Sequence, residues 1–260
     1  ASSNAVSRTV IVTPVNDVAV LSDVEPSSLA YTENDAAATV SASITVSDPD
    51  FTTDADLDSA TVSITTGLHS GDVLSYTGSA AGMTAAYDEV QGVLSLSGDV
   101  SVADWQTALR SVTFSSSSED PTATQTVADR IVTFVISDGD VDSTAVDRIV
   151  TVSPVNDAPV LSDVEPTSLA YTENDAAATV SPSIAVSDLD TLTDPALDSA
   201  TVAISAGMQA GDLLAYPDTS SGINSTYDVT SGVLTMIGAG SVSDWQTALR
   251  AVTYSSSSED

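Results

Sequence analysis

The chain has 260 residues, and 37 acidic residues against 5 basic ones give it a formal net charge of −32. Such a charge repels phosphate backbones and anionic headgroups, so we expect no nucleic acid partner and no direct membrane insertion. Hydrophobic residues make up 42% of the chain, which is enough for packed cores and excludes a disordered acidic tail.

The sequence repeats itself at an offset of 154 − 14 = 140 residues. The run Pro-Val-Asn-Asp at 14–17 returns at 154–157, and Trp-Gln-Thr-Ala-Leu-Arg at 105–110 returns at 245–250. Each period is the size of a domain. We therefore predict the last strand of a preceding repeat over residues 1–13, a complete repeat over 14–153, and a second repeat over 154–260 that is truncated before its last two strands.

Within the first repeat, short runs of alternating apolar and polar residues, rich in Val, Ile and Thr, predict β-strands. These runs lie at 28–31, 38–46, 60–65, 73–76, 84–88, 93–96, 111–114, 127–136 and 145–152. A single helix is predicted over 102–109, where Ser101 can cap the first turn and Trp105 and Leu109 share the core-facing side. The pattern predicts an all-β chain of tandem β-sandwich repeats, immunoglobulin-like or cadherin-like, with one short helix per repeat.

Acidic residues concentrate in the turns between these strands. Two carboxylates at positions i and i+2 of a turn can converge on one cation, but Ca²⁺ takes about six to eight oxygens, more than one turn supplies. Folding a sandwich would bring several turns together at each end of a repeat, beside the linker. The alternative is that Asp and Asn simply favour turns and keep strand edges soluble.

The whole chain requires some means of tolerating its charge. Because so many carboxylates repel one another, the protein must be adapted to high salt or hold cations. It has no cysteine, so a secreted form must be stabilised by something other than disulfides, and bound metal is the usual alternative.

Five motifs occur in the order found in cadherin repeats. They are Glu33-Asn34, Glu119-Asp120, the Asn-Asp-Ala-Pro linker at 156–159, Asp188-Leu189-Asp190, and Asp138 in the last hairpin loop. More closely, the chain resembles the cadherin-like repeats of large bacterial RTX-type surface adhesins, which join through Val-Asn-Asp-Ala-Pro-Val linkers. Two departures, Ser153-Pro154 before the linker and Ser118 before Glu119, leave the number of ions per junction open.

The resemblance implies Ca²⁺ as the cofactor, bound where the ends of neighbouring repeats meet the linker. The ligands that it implies by position are Asn16, Asp17, Glu33, Asp48, Asp50, Glu119, Asp120, Asp138, Asn156, Asp157, Glu173, Asp188 and Asp190. Asp54 and Asp58, which recur as Asp194 and Asp198, are weaker candidates.

The resemblance implies an extracellular spacer on a bacterial surface, stiffened by calcium and carrying a terminal binding domain. Its partners are then the neighbouring repeats of the same chain.

The alternative is a self-assembling filament or layer, in which residues 6–12 of one chain complement the incomplete second repeat of an identical chain. Direct binding of glycan or ice is a third possibility, which an aromatic content of 5% disfavours.

We expect no enzyme, since one histidine, His69, and no Cys or Lys leave few general bases or nucleophiles.

Overall fold

The computed structural model describes residues 3–13, 15–50, 56–122, 129–190, 196–217 and 222–258. The chain divides into two compact units, residues 1–153 (unit 1) and 154–260 (unit 2). Both consist mostly of β-strands with one helix each, so the predicted all-β class is confirmed. Neither nine-residue helix is long and apolar enough to cross a membrane, which holds for the described ranges.

In the part of unit 1 that the structure describes there are eleven strands and helix α1. In chain order they are β1 (Val20–Ser22), β2 (Leu29–Thr32), β3 (Ala38–Thr39), β4 (Thr45–Ser47), β5 (Asp56–Thr66), β6 (Asp72–Tyr76), β7 (Thr84–Asp88), β8 (Val93–Ser101), α1 (Val102–Arg110), β9 (Val112–Ser116), β10 (Asp129–Ser137) and β11 (Val146–Ser153). They form a six-stranded sheet in the order β2-β11-β10-β5-β8-β7, a three-stranded sheet β3-β9-β6, and the pair β1-β4. Every pairing is antiparallel except that of β11 with β2.

Strand β10 shows why the alternating pattern folds in this way. Arg130, Val132, Phe134 and Ile136 are fully buried, whereas the residues between them are partly exposed. Since side chains alternate across a strand, one face of β10 enters the core and the other faces outward. The core includes side chains from both of the larger sheets and from α1.

Helix α1 begins and ends close to its predicted bounds. Its cap residue, Ser101, accepts a hydrogen bond from the backbone N–H of Asp104. Trp105 and Leu109 are fully buried, and Trp105 Nε1 donates to the carbonyl of Leu57 at 2.6 Å. The predicted helix, its cap and its apolar face are therefore confirmed.

The prediction of one continuous strand over 38–46 is wrong. Its first two residues form β3, which pairs with β9, and its end lies in β4, which pairs with β1. Between them the chain turns, because the Glu25 carboxylate accepts hydrogen bonds from Ser41 Oγ and from the backbone N–H groups of Ala42 and Ser43. Strand β1 was not predicted, and the predicted residues 127 and 128 lie outside the described ranges.

Within the described ranges, unit 2 contains eight strands and helix α2, each 140 residues after a counterpart in unit 1 to within three residues. They are β12 (Val160–Ser162), β13 (Ala178–Thr179), β14 (Ala185–Ser187), β15 (Leu197–Ala203), β16 (Asp212–Ala215), β17 (Asn224–Asp228), β18 (Val233–Gly240), α2 (Val242–Arg250) and β19 (Thr253–Ser256). Positions corresponding to β10 and β11 fall after residue 260. The counterpart of β2, residues 169–172, forms no strand, since its pairing partner would be the counterpart of β11.

Candidate metal centres

Three segments meet at the N-terminal end of unit 1. Asn16 Nδ2 donates to Asp138 Oδ2 at 3.1 Å, and the backbone N–H of Asp17 donates to Asp50 Oδ2 at 2.5 Å. Within the loop after β4, the N–H of Asp50 donates to Asp48 Oδ1 at 2.7 Å. The structure thus links these five predicted ligands, which lie up to 122 residues apart in the sequence.

The Asp138 carboxylate is held as an anion by the loop that carries it. Partial burial acts to raise its pKa, but hydrogen bonds from Val141 N, Asn16 Nδ2 and Asp140 N together outweigh this and lower the pKa below its usual value. A carboxylate that stays charged suits a cation site.

A further acidic side chain, that of Asp58 on β5, lies against the same loop. A Cβ added to Gly139 would stand 2.3 Å from Asp58 Oδ2, so only glycine allows this approach. The pairing of β5 with β8 shifts register at Asp58, and the corresponding pairing in unit 2 shifts at Asp198. Asp58 is one of the weaker candidates predicted from the sequence, and its recurrence as Asp198 is the signal that favours it.

The N-terminal end of unit 2 repeats part of this arrangement. The N–H of Asp157 donates to Asp190 Oδ2 at 2.5 Å, and the N–H of Asp190 donates to Asp188 Oδ1 at 3.0 Å. A cavity of about 210 Å³ lies beside them, lined by the side chains of Asn156, Asp157, Asp188 and Asp198 among others. The predicted ligands of this unit's linker and of its Asp-x-Asp loop are therefore neighbours.

At the C-terminal end of unit 1 lie the remaining predicted ligands of this unit, Glu33 after β2 and Glu119 and Asp120 after β9. The backbone N–H of Glu33 donates to the carbonyl of Ser153 at 3.0 Å, and the Glu33 side chain is buried. Asn34, in the left-handed conformation with φ 63°, donates from Nδ2 to Glu119 Oε2 at 3.1 Å. Both carboxylate oxygens of Asp120 are buried and have no hydrogen-bond partner in the part of the chain that the structure describes.

Glu173 is placed differently from Glu33, its counterpart. It is exposed, since the strand whose last residue anchors Glu33 has no counterpart in unit 2. The structure does not gather Glu173 with the other ligands predicted for this unit. The weaker candidates Asp54 and Asp194 lie outside the described residues.

Every side chain gathered at these ends is a carboxylate or a carboxamide, so an ion here would meet oxygen ligands alone. Such ligands suit hard cations, and sites drawn from several loops with six or more oxygens suit Ca²⁺ better than Mg²⁺. The N-terminal end of unit 1 alone offers the side chains of Asn16, Asp17, Asp48, Asp50, Asp58 and Asp138.

No family model and no curated protein matches the chain. Among solved structures, it is similar to domains 5 and 6 of the S-layer protein SbsC, with 13% sequence identity over 86% of each chain and a TM-score of 0.25. A TM-score at that level does not establish a shared fold.

Proposed function

We propose that this chain is a segment of an extracellular spacer, made of tandem β-sandwich repeats that Ca²⁺ stiffens at their junctions. In this proposal the array belongs to a large bacterial surface adhesin and holds a terminal binding domain away from the cell. Its partners are the neighbouring repeats, and it has no catalytic role. The cadherin-like motifs support the class of protein and its location.

The observation that carries the proposal is a hydrogen bond of the linker backbone that occurs in both units. The N–H of Asp17 binds the Asp50 carboxylate, and 140 residues later the N–H of Asp157 binds the Asp190 carboxylate, each at 2.5 Å. The linker backbone is thereby fixed to the Asp-x-Asp loop, which leaves the linker carboxylates beside the other acids. Turn preference alone explains acids in loops, but it does not explain why loops far apart in sequence bring their acids together.

The mechanism is electrostatic. Two like charges 4 Å apart repel by about 4 kcal/mol at an effective dielectric constant of about 20, so a group of uncompensated carboxylates favours an open, flexible end. A bound divalent cation compensates the charge of these carboxylates and links the segments that supply its ligands. A ligand at 1,000 times its Kd stabilises the folded state by about 4 kcal/mol, which is comparable to the repulsion it relieves.

The buried oxygens of Asp120 give a sharp test. Asp120→Asn removes one charge while losing no hydrogen bond found among the described residues, so in EDTA the variant should melt at or above the wild-type temperature. In calcium it should lose part of the stabilisation that the wild type gains. Glu89→Gln, at an exposed turn between β7 and β8, removes the same charge as a matched control and should respond to calcium like the wild type.

Calorimetry with and without EDTA measures the melting temperature, small-angle scattering measures the flexibility, and calcium titration counts the ions. We expect chelation to lower the melting temperature and to broaden the scattering profile. Identical melting curves and profiles in EDTA and in calcium would contradict the proposal.

A further inference from the structure

Helix α1 lies beside β4 in the place where a sheet would have another strand. One edge of β4 pairs with β1, with Leu21 opposite Val46. On the other side, Gln106 Oε1 accepts a hydrogen bond from the backbone N–H of Val46 at 3.3 Å, and Arg110 Nε donates to the carbonyl of Ile44 at 2.8 Å. Gln106 and Arg110 are four residues apart, so they lie on one face of α1. These two side chains supply the acceptor and the donor that the backbone of a neighbouring strand would supply.

Helix α2 holds β14 in unit 2 through the same two bonds. Gln246 Oε1 accepts from the N–H of Val186 at 3.2 Å, and Arg250 Nε donates to the carbonyl of Ile184 at 2.8 Å. Each distance agrees with its counterpart in unit 1 to within 0.1 Å. The attachment of the helix to this strand is therefore a feature of both units.

The pair β1-β4 leads directly to the candidate ligands at the N-terminal end of unit 1. Strand β4 ends at Ser47, so Asp48 is the next residue and lies about 7 Å along the chain from Val46. Strand β1 begins three residues after Asp17, whose N–H donates to Asp50 Oδ2 at 2.5 Å. Within the described ranges, β1 and β4 form a two-stranded sheet of their own. A displacement of this pair relative to the rest of unit 1 would therefore move the linker ligand and the loop ligands together.

A groove of about 560 Å³ lies between the end of β4 and the first turn of α1. Val46, Asp48, Val102 and Gln106 are among the residues that line it. Because this space is open, side-chain packing between the helix and the end of the strand contributes little to holding β4 there. The hydrogen bond between Gln106 and Val46 joins the two sides of the groove, and without it the end of β4 has room to shift.

We propose that Gln106 and Arg110 are positioning residues for the cation site at the N-terminal end of unit 1. Gln246 and Arg250 have the same role in unit 2. They act through the strand and are not ligands themselves, since they hold β4 or β14 where the loop that follows it meets the linker. This inference rests on the calcium sites proposed above. Such coupling is reciprocal, so an ion that binds better when the strand is attached to the helix also strengthens that attachment.

Calcium titration followed by NMR tests the two ends separately. The amide signals of Asp50 and Asp190 report on unit 1 and unit 2, because each N–H lies in the Asp-x-Asp loop of its unit. Gln106→Met keeps the length of the side chain and removes the acceptor. It should raise the calcium concentration at half-saturation about tenfold for Asp50 and leave that for Asp190 unchanged. Gln246→Met should have the opposite pattern.

Thr107→Ala is the matched control on the helix. Thr107 is exposed and its hydroxyl donates to the helix carbonyl of Ala103, so the substitution should shift neither titration curve. The conservative variant Gln106→Glu keeps an acceptor oxygen and should retain the wild-type affinity. If Gln106 has only a structural role, Gln106→Met will lower the melting temperature in EDTA and leave both curves in place, and that result would overturn the inference.

Hydrogen exchange of the wild type tests the reciprocal effect without any substitution. Calcium should slow exchange of the Val46 amide by a larger factor than exchange of the Leu74 amide on β6, a strand that pairs with β9 and not with β4. Equal factors would also overturn the inference. A wild type whose Asp50 and Asp190 signals do not respond to calcium would contradict the calcium proposal itself, and this inference with it, so the two failures are distinguishable.

Discussion

The buried salt bridge of unit 1 allows a prediction about stability for which unit 2 of the same chain is the control. Arg130 Nε lies 2.8 Å from Asp72 Oδ2, and Arg130 Nη2 also donates to the carbonyl of Pro121 at 2.8 Å. Both charged side chains are fully buried. Arg130→Met keeps the unbranched stem of the side chain, removes the guanidinium, and leaves the Asp72 carboxylate and the Pro121 carbonyl without this donor.

Removing one partner of a buried ion pair costs about 3–5 kcal/mol, because the remaining charge is uncompensated. For a unit of about 140 residues, each kcal/mol lowers the melting temperature by about 3 °C, so we expect a decrease of about 10–15 °C. Calorimetry should show it in unit 1 alone, and the transition of unit 2 serves as the internal reference.

Unit 2 indicates how the loss can be partly repaired. It carries Tyr254 where unit 1 has Phe114, and the Tyr254 hydroxyl donates to Asp212 at 2.7 Å. The two rings are placed alike, since each stacks edge-to-face on a tyrosine with centroids 5.1 Å apart. Phe114→Tyr in the Arg130→Met background should therefore recover about 1.5–3 kcal/mol, the value of a hydrogen bond to a charged group.

The double-mutant cycle separates this reasoning from a general packing effect. Phe114→Tyr alone adds a hydroxyl where Arg130 already occupies the carboxylate, and we expect it to be neutral or destabilising. The reasoning is refuted if Arg130→Met costs less than about 1 kcal/mol, or if Phe114→Tyr has the same effect in both backgrounds.

Three further predictions concern local stability, each measured by urea unfolding of unit 1. Gly139→Ala should destabilise it by more than about 1 kcal/mol, because φ is +95° and the new Cβ would clash with Asp58. Trp105→Phe should cost about 2 kcal/mol, since it leaves the buried Leu57 carbonyl without its donor. The hydrogen-bonded Glu25 carboxylate has its pKa lowered from 4.5 to about 2, against the opposing effect of partial burial. The stability it provides is thus present above pH 4.5 and lost as the pH falls towards 2, and Glu25→Gln should flatten that part of the acid titration. Effects of the same size from surface substitutions such as Glu89→Gln would contradict all three.

The predictable parts of the fold were those whose signal is local. The helix at 102–109 was found because its cap, its first-turn Asp and its apolar spacing lie within nine residues. Strand β10 was found because its alternation is uninterrupted. The region 38–46 also alternates, but Glu25 binds the backbone of its middle and makes a turn there, an interaction across 16 to 18 residues that periodicity does not show.

The candidate ligands also divide into residues with a local signal in the sequence and residues whose placement depends on the fold. Residues in turns, such as Asp48, Asp50 and Asp138, were found because carboxylates at i and i+2 are visible in sequence. Asp58 was undervalued because it lies in a strand, where its approach to Gly139 depends on the register of the sheet. Glu173 matches Glu33 in sequence, but the burial of Glu33 depends on β11, and residues 154–260 do not include the counterpart of that strand.

The parallel pairing of β2 with β11 has a mechanical consequence. Leu29 lies beside Val150 and Thr32 beside Ser153, so the chain enters this pair at one end and leaves it at the other. Tension along the polypeptide therefore slides the two strands past each other and loads their hydrogen bonds together, whereas an antiparallel pair pulled from one end opens bond by bond. The strand that completes unit 1 is thus also placed to resist stretching.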